Sequence, residues 1–237
     1  MSTARQTLVL LHPPGINVPA GTTQWLKQRN VGFFTHIRHD HAVSDYGRLA
    51  RYLTDSMIGL VLAGGGAKGF AHIGVWKALK EAKIPVDYIG GTSMGAMVGG
   101  LMAYDWGYDS VYSVCREIAF SPLKSDFNLL PVVSLFKGKI LDRVLQKYYQ
   151  EHDLEDCPLP FYCVSSNLTH AYPQIHRRGN MFQAIRASGA IPGVVPPVVY
   201  QNSLLIDGGI FNNFPTDIMV DVGARYIIGV DFWADQN

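Results

Sequence analysis

Three glycine-framed turns carry the residues of this chain best suited to chemistry: Gly91-Thr92-Ser93-Met94-Gly95, Gly64-Gly65-Gly66-Ala67-Lys68-Gly69 and Asp207-Gly208-Gly209. A serine with glycine two positions before and two after fits a sharp strand-to-helix turn. There its hydroxyl projects from the sheet edge and no side chain collides with the turn. Such a serine attacks carbonyl carbon, and it needs a proton acceptor and donors for the oxyanion it creates. Read alone, Gly64-x-Gly66-x-x-Gly69 also matches the dinucleotide fingerprint, which would make the chain a nucleotide-binding oxidoreductase. That reading requires an acid about 20 residues on, at the C-terminal end of the next strand. Asp87 has the distance but stands at the start of its strand, on the opposite sheet edge. A phosphate loop is absent, because Lys68 precedes Gly69 and Phe70 follows it.

Taken together, the first two turns have a different meaning. A right-handed crossover between parallel strands brings both to one sheet edge, about 4.8 Å apart if the strands are neighbours and twice that with one strand between. Backbone N–H groups of Gly65 and Gly66 then face the space above Ser93, where one such donor is worth about 3–4 kcal/mol to a transition state. The base is less obvious. Histidines occur at 12, 36, 39, 41, 72, 152, 170 and 176, and none follows, so the order Ser…Asp…His fails. Asp207, after the apolar run Leu204–Ile206 and before two glycines, is the best base for Ser93; Asp217, Asp221 and Asp231 are weaker.

The elements that position these turns follow from periodicity. Short apolar runs at Leu8–Leu11, Val31–Ile37, Ile58–Ala63, Val86–Gly90, Phe161–Ser165, Leu204–Ile206 and Tyr226–Val230 read as strands. Helices are expected at Thr22–Gln28, from Ser44 or Asp45 with Tyr46, Leu49, Leu53 and Met57 on one face, and over Phe70–Lys83 with Val75, Ala78, Leu79 and Ala82 inward. Further helices are expected at Ala96–Ala103, around Val111–Ile118, Leu141–Tyr148 and Met181–Ala187, and at Pro215–Val222. Alternating strands and helices, with strands apolar on both faces, define an α/β fold: a three-layer α/β/α domain on a mostly parallel central sheet. The uncharged run Tyr88–Tyr104 contains five glycines and reads as strand, turn and helix rather than a membrane span.

Composition narrows the partners. With 237 residues, 48% apolar residues, 16% charged residues and a net charge of +1, the chain builds a full core and lacks the basic footprint of a nucleic-acid binder. Three cysteines without a CxxC pair fit a reducing compartment, and the N-terminal apolar run is too short for a secretory signal. His36-x-x-His39-x-His41 with Asp40 reads as a solvated loop, so no metal is expected. His72 reads as packing near the glycine turn, and Met94 and Met97 as core or acyl-pocket lining. Lys137, Lys139, Arg177 and Arg178 are surface charges that could attract lipid phosphate. The less regular Ser121–Pro131, continued by Val132, Val133, Leu135 and Phe136, is either an ordinary connection or a lid or lipid-facing rim.

The three motifs in this order resemble the patatin-like phospholipase family, whose catalysts use a Ser–Asp dyad without histidine. Ala187-Ser188-Gly189-Ala190-Ile191-Pro192 resembles another block of that family. Leu10-Leu11-His12-Pro13, Arg48-Leu49-Ala50-Arg51 and Gly59–Val75 resemble the catalytic region of its neuropathy target esterase branch. Lys68 stands where many relatives carry Arg. The resemblance implies a lipid acyl hydrolase without cofactor: Ser93 as nucleophile, Asp207 as base, Gly65 and Gly66, with Gly64, as oxyanion donors, and Lys68, Gly69, Gly91, Gly95, Gly208 and Gly209 as motif positions. It further implies phospholipid or lysophospholipid substrates, transient membrane contact and a cytoplasmic-side location. Residues 1–57 would form a βαβα segment packed on the same domain as the catalytic part, 58–237. The alternatives are a nucleotide-binding oxidoreductase that uses the Gly64–Gly69 loop and a non-catalytic lipid-binding module that keeps the pocket.

Overall fold

The computed structural model describes the chain apart from residues 1–5, 30, 122–125, 129–131 and 233–237. Its strands are β1 (Thr7–His12), β2 (Phe33–Arg38), β3 (Ile58–Leu62), β4 (Tyr88–Thr92), β5 (Phe161–Asn167), β6 (Tyr172–His176), β7 (Val198–Tyr200), β8 (Ser203–Asp207) and β9 (Tyr226–Val230). Its α-helices are α1 (Thr22–Leu26), α2 (Ala42–Leu53), α3 (His72–Glu81), α4 (Met94–Ala103), α5 (Tyr108–Ala119), α6 (Lys139–Tyr149), α7 (Met181–Ser188) and α8 (Thr216–Asp221).

The central sheet is hydrogen-bonded in the order β7-β8-β5-β4-β3-β9, with β6 added to β5. β9, β3, β4 and β5 are parallel; β3, β4 and β5 are buried on both faces, whereas the edge strand β9 is partly exposed. On one face they pack with α3–α7 around Leu60, Leu62, Ile89 and Phe161; on the other, Val61, Tyr162 and Val164 meet Ile218 and Met219 of α8. The three-layer expectation holds. Strands β6 and β7 have no counterpart in the apolar pattern, and both are antiparallel to their neighbours.

One consequence of the pairing decides the site. β6 occupies Cys163–Asn167 along one whole edge of β5. β4 pairs with Phe161–Val164 and antiparallel β8 with Ser165–Asn167, so both must share the other edge. The two strands run toward each other and their C-terminal ends meet: Thr92 lies opposite Val164, and Asp207 opposite Ser165.

β1 and β2 form a separate parallel pair. Here charge replaces the expected apolar face of α2. Asp45 and Arg48 point inward while Tyr46 and Leu53 are exposed. Arg38 binds Asp45 at 2.9 Å and Asp105 at 2.8 Å, Arg48 reaches the Pro158 carbonyl, and Arg51 grips Asp87. Burial opposes ionisation of Asp45, but the bonds from Arg38 outweigh it and hold the carboxyl below its usual range. Its stabilising contribution is therefore present above the unfolded value of about 3.9 and lost in stronger acid. Removing one partner leaves the others buried and uncompensated. Arg38→Ala is expected to cost about 3–5 kcal/mol, measured by urea unfolding at neutral pH.

Leu79 faces inward on α3 as expected, but its buried companions are His72, Ile73 and Trp76 rather than Val75, Ala78 and Ala82. The chain enters α3 through a 3-10 turn, Gly66–Ala71, and the Trp76 indole donates to the Trp106 carbonyl. The run Tyr88–Tyr104 forms β4, the turn and buried α4. Among the described residues no helix is long and apolar enough to cross a membrane.

Candidate active site

Ser93 sits between β4 and α4 with φ 55° and ψ −121°, a conformation that L-residues rarely adopt and that costs about 1–3 kcal/mol. The flanking glycines permit it. A Cβ on Gly91 would lie 2.5 Å from the Gly95 carbonyl oxygen, and one on Gly95 would run into the Leu62 carbonyl of neighbouring β3. The Ser93 hydroxyl donates to Asp207 Oδ2 at 2.5 Å. The other carboxylate oxygen, Oδ1, accepts from the Gly209 amide at 2.8 Å. Both side-chain-bearing residues are 6% exposed, which leaves the pair reachable from the cleft. Burial pushes the Asp207 carboxyl above its ordinary value, and the Ser93 and Gly209 bonds only partly offset this.

The three turns are tied together by residues outside the glycine motifs. Gly64 and Asn213 bond reciprocally: the Gly64 amide donates to the Asn213 carbonyl at 3.1 Å, and Asn213 Nδ2 donates to the Gly64 carbonyl at 3.1 Å. This corrects the expectation for Gly64. Its amide is committed to Asn213, so Gly64 joins two loops and is not an oxyanion donor. Among the described residues nothing accepts from the Gly65 and Gly66 amides. Gly66 has φ 54°, in the left-handed region that favours glycine. Gly69 has no room for a Cβ because Met94 lies against it, and Gly208 has none because of the Val164 carbonyl. Thr92 Oγ1 donates to the Asn212 carbonyl, another link between the serine turn and the loop after Asp207.

Ser188, at the end of α7, holds the nucleophile's own backbone. The Ser93 amide donates to Ser188 Oγ at 2.9 Å, and that hydroxyl donates to the Val164 carbonyl at 2.6 Å. Neither Ser188 nor Asn213 is legible as a site residue from chemistry alone, although Ser188 lies in the sequence block Ala187–Pro192. Ser188→Ala strands a buried amide, which costs about 1–3 kcal/mol. The expected result is a fall in kcat of about tenfold or more with KM little changed, checked by steady-state kinetics on a soluble ester.

The cleft above the pair measures about 610 Å³ and is lined by Gly65, Gly66, Lys68, Ile191, Ile210 and Phe232, among others. No histidine lines it. His72 Nε2 bonds the Ala63 carbonyl, just before the glycine turn, and its ring packs on Phe232. His36 faces His12 and the Glu155 carbonyl, and His39 faces Asp40, so the three histidines of that stretch do not converge. Asp217 bonds Asn212, and Asp221 lines another cavity. That cavity, about 380 Å³, also holds Arg177 and Arg178 beside Tyr88 and Phe161, the first residues of β4 and β5. Both arginines therefore lie at the opposite end of the strands from Ser93. Asp87 is gripped by Arg51 and accepts from the Ile58 amide, so it has no ribose-binding position above the glycine turn. Met97 is buried in the core, and Met94 packs against it.

Fold and site together define a class: α/β proteins with a serine on a strained strand-to-helix turn, paired directly to an aspartate beside a glycine-rich amide loop. Residues 60–220 match the family model described as patatin-like phospholipase, and the chain belongs to that family. It is 33% identical to lysophospholipase NTE1 of Mycosarcoma maydis over 97% of its own length, 15% of the relative's. It is 34% identical to neuropathy target esterase sws of Drosophila melanogaster, covering 98% of this chain and 19% of that protein. Identity to human patatin-like phospholipase domain-containing protein 6 is 35%, over 96% and 19% respectively. The chain thus spans less than a fifth of these relatives. The crystal structure of VipD from Legionella pneumophila shares the fold, with a TM-score of 0.51, 14% identity, and 68% of this chain and 47% of that chain covered.

Proposed function

We propose that this chain hydrolyses carboxylesters of phospholipids or lysophospholipids through an acyl-serine intermediate. The observation that carries the reading is the 2.5 Å contact between Ser93 Oγ and Asp207 Oδ2, in a cleft shared with the Gly65 and Gly66 amides, which have no acceptor among the described residues. Ser93 Oγ attacks the ester carbonyl as its proton passes to Asp207 Oδ2. The carbonyl oxygen, now an anion, is met by the Gly65 and Gly66 amides. As the tetrahedral species collapses, Asp207 returns the proton to the leaving alcohol and acyl-Ser93 forms. Water then attacks that ester, giving its proton to Asp207; fatty acid leaves and Ser93 recovers its proton. The raised affinity of Asp207 for a proton suits it to this exchange, because a base is most effective when its pKa approaches the working pH.

Three further points rest on the same reading. The lipid names of the relatives support a lipid substrate, and the apolar lining at Ile191, Ile210 and Phe232 suits an acyl chain. Residues 58–237 would carry the chemistry, with 1–57 docked on them through the Arg38–Asp105 and Arg51–Asp87 ion pairs. Cys115, Cys157 and Cys163, buried and without disulfides, favour a reducing, cytoplasmic-side setting.

The test combines covalent trapping with product analysis. A fluorophosphonate is expected to label Ser93, located by peptide mass spectrometry, and lysophosphatidylcholine to release free fatty acid. Label on another residue would defeat the assignment of the nucleophile. Lipid binding without any fatty acid release would leave a lipid-binding module in place of an enzyme.

A further inference from the structure

We propose that the exposed face formed by Phe127, Val132, Val133, Leu135, Lys137 and Lys139, bonded to the strip that lines the cleft, is a docking surface for an anionic lipid bilayer. This rests on the lipid-hydrolase reading for its purpose and on separate residues for its evidence. Val132 is 90% exposed and Val133 65%, with Phe127 and Leu135 also exposed, an unusual cluster of apolar side chains facing water. Hydrogen bonds join the residues on either side of the two valines. The Asn128 amide donates to the Leu135 carbonyl at 2.9 Å, Asn128 Nδ2 donates to the Ser134 carbonyl, and Ser134 Oγ donates to the Phe136 carbonyl. The Phe127 and Phe136 rings meet edge to face at 5.2 Å.

The segment is anchored to the cleft wall. The Leu135 amide donates to the Gly193 carbonyl at 2.8 Å and the Phe136 amide to the Val194 carbonyl at 2.9 Å, directly after Ile191 and Pro192, which line the cleft. The same strip begins at Ala190, whose carbonyl accepts from the Asp207 amide. Exposed apolar side chains thus lie one loop away from the base, where a lipid leaving a bilayer would enter.

Charge names the occupant. Lys137 and Lys139 follow the apolar cluster and are exposed, while the acid just before it, Asp126, is buried with its carboxylate turned to the Ile140 amide. Apolar side chains flanked by exposed lysines match the interface of a bilayer bearing anionic headgroups, where each lysine contributes about 1 kcal/mol, roughly a fivefold change in partition.

The test uses the full chain, Val132→Asp/Val133→Asp and Lys137→Gln/Lys139→Gln. Each is centrifuged with vesicles of phosphatidylcholine alone or mixed with phosphatidylserine. Wild type is expected to sediment with the mixed vesicles. The aspartate pair should lose at least about tenfold in partition, and Val132→Ser/Val133→Ser a smaller amount in the same direction. The glutamine pair should lose roughly fivefold per lysine on mixed vesicles and little on phosphatidylcholine alone. Melting temperatures and hydrolysis of a soluble p-nitrophenyl ester should stay at wild-type values, while release of fatty acid from vesicle-borne phospholipid falls with binding. Wild type that ignores both vesicles, or an aspartate pair that binds as wild type does, overturns the proposal. So does a wild-type dimer that the aspartate pair dissociates without any vesicle binding, since a second copy would then be the occupant. Soluble-ester hydrolysis with no vesicle effect defeats the docking surface alone. Vesicle binding in the expected pattern with no ester hydrolysis defeats the hydrolase reading alone.

Discussion

Ser93→Ala is expected to lower kcat for a p-nitrophenyl ester by about 10⁴-fold or more, because among the described residues lining the cleft Ser93 alone carries a hydroxyl. The fluorophosphonate adduct should vanish with it. Folding should survive, since the alanine keeps the Cβ and the backbone bond to Ser188. The strained backbone supplies a second readout. At φ 55° and ψ −121° a side chain is held against its preference, so Ser93→Gly should be more stable than Ser93→Ala by about 1 kcal/mol in urea unfolding. A variant that retains turnover would refute Ser93 as nucleophile, and a glycine variant less stable than the alanine one would refute the strained turn.

Asp207→Asn should cost about 10³–10⁴-fold in kcat/KM, the upper range for loss of a general base, because the amide can hold Ser93 by a hydrogen bond but cannot take its proton. Its effect on stability runs the other way. Burial raises the Asp207 pKa above its unfolded value. The fold therefore disfavours the carboxylate, and this cost is fully present above the folded pKa and absent below the unfolded one. The asparagine variant should accordingly gain stability at neutral pH, with the gain vanishing by about pH 4. The same shift fixes the wild-type rate profile. Activity requires the carboxylate, so kcat/KM should fall as pH drops through a midpoint above the ordinary value of about 3.9. Urea midpoints across this pH range and a pH–rate profile check both statements. A variant destabilised at neutral pH would mean that Asp207 serves the fold through its charge.

The chain stores its destabilising features in the site and offsets them in the surrounding framework. Ser93 is strained and Asp207 is a buried carboxylate with no cation bonded to it among the described residues. Around them stand reciprocal Gly64–Asn213 bonds, the Thr92–Asn212 link and the Ser93–Ser188–Val164 relay. Each ties a turn of one strand to a loop of another. Small shifts in any of them would displace the hydroxyl from its partner.

The sequence by itself determined whatever depends on neighbours along the chain. The Gly91–Gly95 turn is legible because a strained serine needs glycine at fixed local offsets, and the parallel strands because their apolar runs are continuous. The helix after Ser93 follows from the same local chemistry, whereas the 3-10 turn Gly66–Ala71 overlaps the expected helix start at Phe70. Tertiary structure decided what depends on which groups meet. Asp207 reaches Ser93 because β8 and β4 share one edge of β5 end to end, and β6, which forces that arrangement, has too mixed a pattern to be read in advance. The amide of Gly64 is lost to Asn213, 149 residues away, a competition no local motif records. Asp45 and Arg48 turn inward against the apolar pattern of their helix because Arg38, Asp105 and the Pro158 carbonyl stabilise them from distant segments. Hydrogen bonds and ion pairs are short-ranged in space and indifferent to separation along the chain, so spacing reveals the parts of this site and only the fold assigns their partners.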